Sequence, residues 1–173
     1  MSMWHKAYIF DWQAFERDPL YGLLLTALKT DDPADIARYI DIHRGEIKDP
    51  YEGESLGLDW QNMLENRDVN EYGDFALTRF YDPAKDRGIA GSWLGIDARL
   101  KGADRMALLG FVLGEPARAF DPGRQGSYFQ TPDQVLDSLQ RVERLSFQMG
   151  ELQSFKQLLL DCTKHSRGLY VTF

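Results

Sequence analysis

The four residues Thr131-Pro132-Asp133-Gln134 define a helix start more firmly than any other segment of the chain. A threonine side chain can accept a hydrogen bond from the first turn, and proline already has the helical φ at the first position. A glutamine three residues on can reach back to the threonine N–H. A long helix therefore begins here, and Val135, Leu136, Leu139, Val142 and Leu145 give it an apolar stripe. Tyr128-Phe129, just upstream, reads as a short strand or a staple against that helix. Leu152, Phe155, Leu158, Leu159 and Cys162 mark a last helix, which Gly168 closes before a final strand, Gly168-Leu169-Tyr170-Val171-Thr172-Phe173.

Trp4, Tyr8, Ile9 and Phe10 suit a half-buried pleated surface, so residues 3–10 read as a first strand. Chain ends fray unless tied down, and Val171 and Phe173 imply an end held in a sheet beside that strand. The intervening chain reads as mostly helical. Asp18-Pro19 and Asp32-Pro33 each place a capping acid before a proline, followed by Leu20, Leu23, Leu24 and Ala27 and by Ile36, Tyr39 and Ile40. Trp60, Met63 and Leu64 mark a further helix, as do Ile89, Trp93, Ile96 and Leu100. Residues 72–81 fit both the helical and the strand period and are read as helix. Residues 106–113 form a short apolar run ended by Gly114 and Pro116. Residues 47–58, with Pro50, Gly53 and Gly57 among acids, read as a mobile loop. No βαβ alternation and no long repeat is present. The expected architecture is a mostly helical single α+β domain over 1–173, with a small sheet that includes the N- and C-terminal strands.

Composition narrows the functional classes. Four Trp, eight Tyr and ten Phe in 173 residues supply enough apolar area for a real core. No apolar run reaches the roughly 18 residues of a membrane span, and residues 7–10 are too short for a signal-peptide apolar region, so a cytoplasmic location is expected. The lone Cys162 excludes an intramolecular disulfide and a multi-cysteine zinc site. The net charge of -7 argues against nucleic acid, whose non-specific binding depends on Lys and Arg neutralising phosphates. That charge is local. Residues 31–74 hold 13 acids and four bases, a sum of -9, and the other 129 residues sum to +2. One reading is a solvated face that keeps the chain dissolved. The sharper one is a docking surface for a basic partner, with Asp59, Glu65, Asp68 and Glu71 among its acids.

Familiar catalytic patterns are missing: there is no phosphate loop, dinucleotide fingerprint, nucleophile elbow or His-Glu-x-x-His. Gly88-Ile89-Ala90-Gly91-Ser92-Trp93-Leu94-Gly95 lacks the lysine and preceding strand of a phosphate site. Cys162 and His165 stand three apart on a helix, but Cys162 falls on the apolar stripe and reads as a small buried hydrophobe. No catalytic residue, metal site or cofactor is assigned. One internal echo stands out. Phe80-Tyr81-Asp82-Pro83 and Ala119-Phe120-Asp121-Pro122 are each followed by a basic residue and a glycine. Asp then Pro favours a type I turn, so turn chemistry explains both. The functional reading makes Tyr81, Asp82, Asp121, Arg124 and Tyr128 a polar, aromatic-flanked recognition site.

Residues 90–173 resemble the YfbM-like family of small bacterial α+β proteins. The resemblance rests on Trp93 and Leu100, on Leu108-Leu109-Gly110, on Gly126-Ser127-Tyr128-Phe129-Gln130-Thr131-Pro132-Asp133-Gln134-Val135 and on the final strand. It implies a fold and carries no catalytic residues. The acidic single-domain character is also similar, in a general way, to bacterial immunity proteins that neutralise toxin enzymes. The leading expectation is a cytoplasmic protein-binding domain, an immunity-type inhibitor that docks onto a toxin or other basic protein. The alternative is a small enzyme or small-molecule binder at the two Asp-Pro loops, with Asp82 or Asp121 as acid or base and Tyr128 as donor. The helix start gives the first test. Thr131→Ala removes the cap and should lower stability by about 1 kcal/mol in urea denaturation, with no change in the slope of the unfolding transition.

Overall fold

Residue alternation along three short strands divides the molecule into two apolar cores. A computed structural model describes residues 3–173. β1 (Lys6–Phe10), β2 (Ser127–Gln130) and β3 (Gly168–Thr172) form an antiparallel sheet in the order β1-β3-β2. Tyr8 pairs with Tyr170, and Tyr170 in turn pairs with Phe129. The C-terminal strand is thus the central one, bonded along both edges. Side chains of successive residues point to opposite faces. Tyr8, Phe10, Phe129 and Tyr170 therefore share one core, and Ala7, Leu169 and Val171 share the other.

The first core is aromatic. It is covered by α1 (Trp12–Arg17), α2 (Pro19–Thr30), α3 (Ala34–Ile42) and α4 (Val69–Leu77). Phe129 stacks on Tyr170 at 4.8 Å between ring centres, and Phe10 meets Phe15 edge-on at 5.5 Å and Phe129 at 5.3 Å. Such pairs contribute about 0.5–1.5 kcal/mol each beyond the area they bury. Asp18 caps α2 by accepting from the Leu20 N–H at 2.9 Å. Its other carboxylate oxygen takes the Arg79 guanidinium at 2.6 Å, and Arg79 also bonds the Tyr39 hydroxyl and Glu46, joining α2 and α3 to the end of α4. The second core is aliphatic. It is covered by α5 (Trp93–Asp97), α6 (Gly102–Met106), α7 (Pro132–Ser146) and α8 (Gln153–Lys164).

The expected helix start is present in full. Thr131 accepts from the Gln134 N–H at 3.3 Å, and Gln134 accepts from the Thr131 N–H at 2.9 Å. Within the stripe Leu136 turns outward, because it follows Val135 by one position and lies about 100° round the helix. The helix read over Ile89, Trp93, Ile96 and Leu100 shortens to five residues, since Ala90 is drawn into a bridge with His5. The segment at Trp60 is a single 3₁₀ turn, Trp60–Met63. Residues 47–58 are not a free loop. Lys48 and Ser55 form a bridge, Ile47 and Leu56 are buried, and the Asp49 carboxylate accepts from the Tyr51 and Glu52 N–H groups.

Loops close both outer edges of the sheet. On the β1 side the Arg87 N–H bonds the Ala7 carbonyl at 2.8 Å, and Asp86 accepts from the Ala7 N–H at 3.0 Å. His5 locks this edge to the second core. Its Nε2 lies 2.9 Å from the Leu108 carbonyl and its Nδ1 accepts from the Ile89 N–H at 3.2 Å, an arrangement that only the neutral Nε2–H tautomer satisfies. Burial lowers its pKa, and the ring packs against Trp93, Phe155 and Phe173. On the β2 side Phe111 and Phe129 exchange two backbone hydrogen bonds of 2.8 Å. Gly110, beside that bridge, has φ of +130°, and a Cβ there would sit 2.1 Å from the Phe129 carbonyl oxygen. Among the described residues no helix is long and apolar enough to cross a membrane. Gly110→Ala must strain the backbone and break the bridge, and should cost about 2 kcal/mol or more in chemical denaturation. Thermal melting should show a lowered midpoint with the same far-ultraviolet spectrum.

Candidate functional site

Part of the acidic segment is consumed by the fold. Asp68 caps α4 by accepting from the Glu71 N–H at 2.9 Å. Glu71 is buried, and its carboxylate collects the N–H groups of Glu65, Asn66 and Arg67 at 2.7, 2.8 and 2.6 Å. A carboxylate holding three backbone donors is a structural anion, and the tight turn it holds carries Arg67 at φ of +56°. The expectation that Glu71 is a docking charge is therefore corrected, while Asp68 stays half-buried with one carboxylate oxygen committed to the cap. Asp59 and Glu65 do stand exposed, with Glu52 and Glu54 nearby in sequence. Large apolar side chains are exposed in the same stretch: Ile42 at 77%, Tyr51 at 67% and Leu58 at 85%. The Trp60 indole donates to Asp41 at 2.8 Å and so ties the turn after Leu58 to the end of α3, where Ile42 lies.

The two Asp-Pro loops form the turns their sequences imply. Asp82 accepts from the Ala84 N–H at 3.0 Å and lies 3.9 Å from both Lys48 and Lys85. Asp121 accepts from the Gly126 N–H at 3.0 Å, and its carbonyl takes the Arg124 N–H at 3.2 Å. Arg124 is exposed with φ of +56°, and Tyr128 is half-buried against the second core. Tyr81 was expected at the surface but is buried, because it follows Phe80 into the aromatic core and packs on Tyr8 at 4.8 Å and Tyr170 at 5.2 Å. Tyr81 is therefore not part of an exposed polar site with the other four.

A different set does converge. Tyr81, Pro122 and Gly123, from the two Asp-Pro loops, meet Pro50 and Tyr51 around a cleft of about 80 Å³. β1 contributes Lys6 and Tyr8, the end of β3 contributes Thr172 and Phe173, and α4 contributes Asp74. Asp74 is only 8% exposed, and among the described residues its carboxyl takes no hydrogen bond and no ion pair. Burial pushes this carboxyl up to about 7. The Lys6 ammonium draws it down, and Asp49 and Glu71 raise it again. Tyr81 and Tyr170 are held well above the usual tyrosine range, first by burial and then by the charge of Asp74. The Tyr170 hydroxyl is itself buried, beside the Thr172 and Ser127 hydroxyls, which draw its pKa part of the way back down.

A carboxyl that titrates near neutrality in a tyrosine-lined recess can give or take a proton, or receive a cation. Sequence reasoning missed it, although a signal was available. An acid stands at the centre of Tyr72-Gly73-Asp74-Phe75-Ala76-Leu77, whose other members belong to a buried helix. Cys162 is buried as its stripe implied, and burial pushes its thiol up to about 12, far from a nucleophile's range. No three His, Cys, Asp or Glu side chains among the described residues gather at metal-ligand spacing. Compared with known protein families, curated proteins and solved structures, the chain matches none.

The raised Asp74 carboxyl predicts the pH dependence of stability. Between about pH 4 and pH 7 the folded protein keeps this proton while the unfolded chain has lost it. Stability should then fall as pH rises through that window, by on the order of 1 kcal/mol per pH unit, and level off above it. Asp74→Asn removes this contribution. Urea titrations of both proteins at several pH values should show the variant gaining stability over the parent as pH rises to about 7.

Proposed function

We propose that the protein is a cytoplasmic binding protein that docks an acidic, apolar-studded face onto a basic protein, in the manner of an immunity-type inhibitor occluding a toxin. The observation that supports this most is the coincidence of two properties in one stretch. Glu52, Glu54, Asp59 and Glu65 are exposed where Ile42, Tyr51, Leu58 and Met63 also leave large apolar area in water. Acids on a surface steer a basic partner and raise the encounter rate, and apolar side chains that become fully covered supply most of the affinity. The acids buried for structural reasons, Asp49 and Glu71, add to the negative field of the same segment without touching a partner. The resemblance of residues 90–173 to YfbM-like proteins concerns the opposite half and supplies no activity. The acid–base alternative at Asp82 or Asp121 with Tyr128 has less support, since both carboxylates are engaged in turns and Tyr128 packs on the second core.

The test is kinetic. A basic protein captured from the native host should associate with the parent at a rate that falls about tenfold or more as salt is raised. Replacing Glu52, Glu54, Asp59 and Glu65 by their amides should slow association and flatten that salt dependence. Leu58→Ala with Met63→Ala should instead speed dissociation. A partner whose association rate ignores both salt and the amide variant would remove this reading.

A further inference from the structure

The cleft over Asp74 pairs an unpartnered carboxyl with aromatic walls. The backbone of α4 places Asp74 in its last turns, where the negative end of the helix dipole opposes a carboxylate, and the fold offers it no compensating donor. Leaving such a group buried costs stability, and the adjoining acids show that this chain can satisfy a buried carboxylate when only structure is at stake: Asp49 has two backbone donors and Glu71 has three. Asp74 has none, and it lines an open recess. We propose that this cleft binds a primary or methylated alkylammonium group, seated on the Asp74 carboxylate with its carbons against the rings of Tyr8, Tyr51 and Tyr81.

Charge selects the class. The groups that face Asp74 are Lys6 and Tyr8 from β1, Asp49 and Tyr51 from the 47–58 segment, Glu71 from its own helix, and Tyr81 and Tyr170. Three of them besides Asp74 could carry charge near neutrality, and two of those three are acids. Lys6 is the sole base, and its ammonium makes no ion pair with Asp74, so it tempers the field without filling the site. An anion would meet the Asp74 carboxylate under the added field of Asp49 and Glu71, and an apolar ligand would leave that carboxylate uncompensated. A cation is attracted both by the carboxylate and by the faces of the tyrosine rings. The volume, on the order of two or three water molecules, suits a small ammonium head rather than a whole metabolite. Tyr51 is common to the rim of the cleft and to the acidic face, so the ammonium can come from a free amine or from a lysine side chain of a docked protein. The cleft is formed by this chain alone, and the inference stands whether or not the docking reading does.

Calorimetry and NMR of the full chain with propylammonium and tetramethylammonium chlorides, against propanol and tert-butanol as neutral matches, test the assignment. At least one ammonium should bind at about pH 8 and weaken about tenfold at about pH 6, where Asp74 is mostly protonated, with shifts at the Tyr8 and Tyr81 rings. Asp74→Asn, which loses no hydrogen bond, should fold and abolish binding. Tyr51→Ala, at the exposed rim, should fold and weaken binding severalfold. Equal binding of the alcohols, full affinity in Asp74→Asn, or no binding of either ammonium at about pH 8 would overturn the proposal. A lysine peptide that binds more tightly than the free amines would identify the source as a partner's side chain, and equal affinities would identify a free amine. Either result upholds the site.

Discussion

The central strand β3 is the constraint on which the rest of the molecule depends. It is hydrogen-bonded to β1 on one side and to β2 on the other, and every one of its residues from Gly168 to Val171 is buried. Period-two alternation then sends Tyr170 to the aromatic core and Leu169 and Val171 to the aliphatic one. A slip of one residue would exchange the two sets and place a tyrosine among aliphatic side chains, so the register of one five-residue strand holds both helical layers in place. The outer edges of β1 and β2, which would otherwise offer unpaired N–H and C=O groups, are closed by residues 86–90 and by Phe111.

Satisfaction of buried polar groups follows a consistent economy, and Asp74 departs from it. His5 uses both ring nitrogens, Gln130 donates to the Ala107 carbonyl and accepts from Ser138, and Glu71 and Asp49 are saturated by backbone N–H groups. Against that background the Asp74 carboxyl takes no hydrogen bond among the described residues, and it lines a recess. The Trp93 indole N–H, buried without a partner among the described residues, lies in the other core. The same carboxylate chemistry thus serves two ends here: closing turns where donors converge, and leaving a poised charge where they do not.

Local signals carried much of the fold. The capping box at Thr131, the Asp18 cap, the two Asp-Pro turns and both terminal strands are written in contiguous residues, because caps and turns depend on neighbours within four positions. The mostly helical α+β class followed from their order. Elements set by distant contacts were less legible. Residues 89–92 left their helix because His5, more than 80 residues away, claims Ala90 and Ile89. Residues 47–58 looked mobile by composition, yet Asp49 folds them into a closed turn and Thr78 takes the Lys48 N–H.

The chain's sequence by itself determined the helix starts at Pro19 and Pro132 and the two terminal strands, that the negative charge lies in residues 31–74, and that Cys162 belongs to an apolar stripe. Each depends on residue type and short spacing. Only the tertiary structure decided which acids face water. Asp59, Asp68, Glu71 and Asp74 are equivalent in a charge count, yet one is exposed, one caps a helix, one closes a turn and one lines a cleft. Tyr81 likewise read as a surface residue beside a turn, and it became the floor of the cleft because Phe80 and Tyr170 draw it inward. A residue's charge and shape are local properties, but its solvation is set by chain segments that only folding brings together.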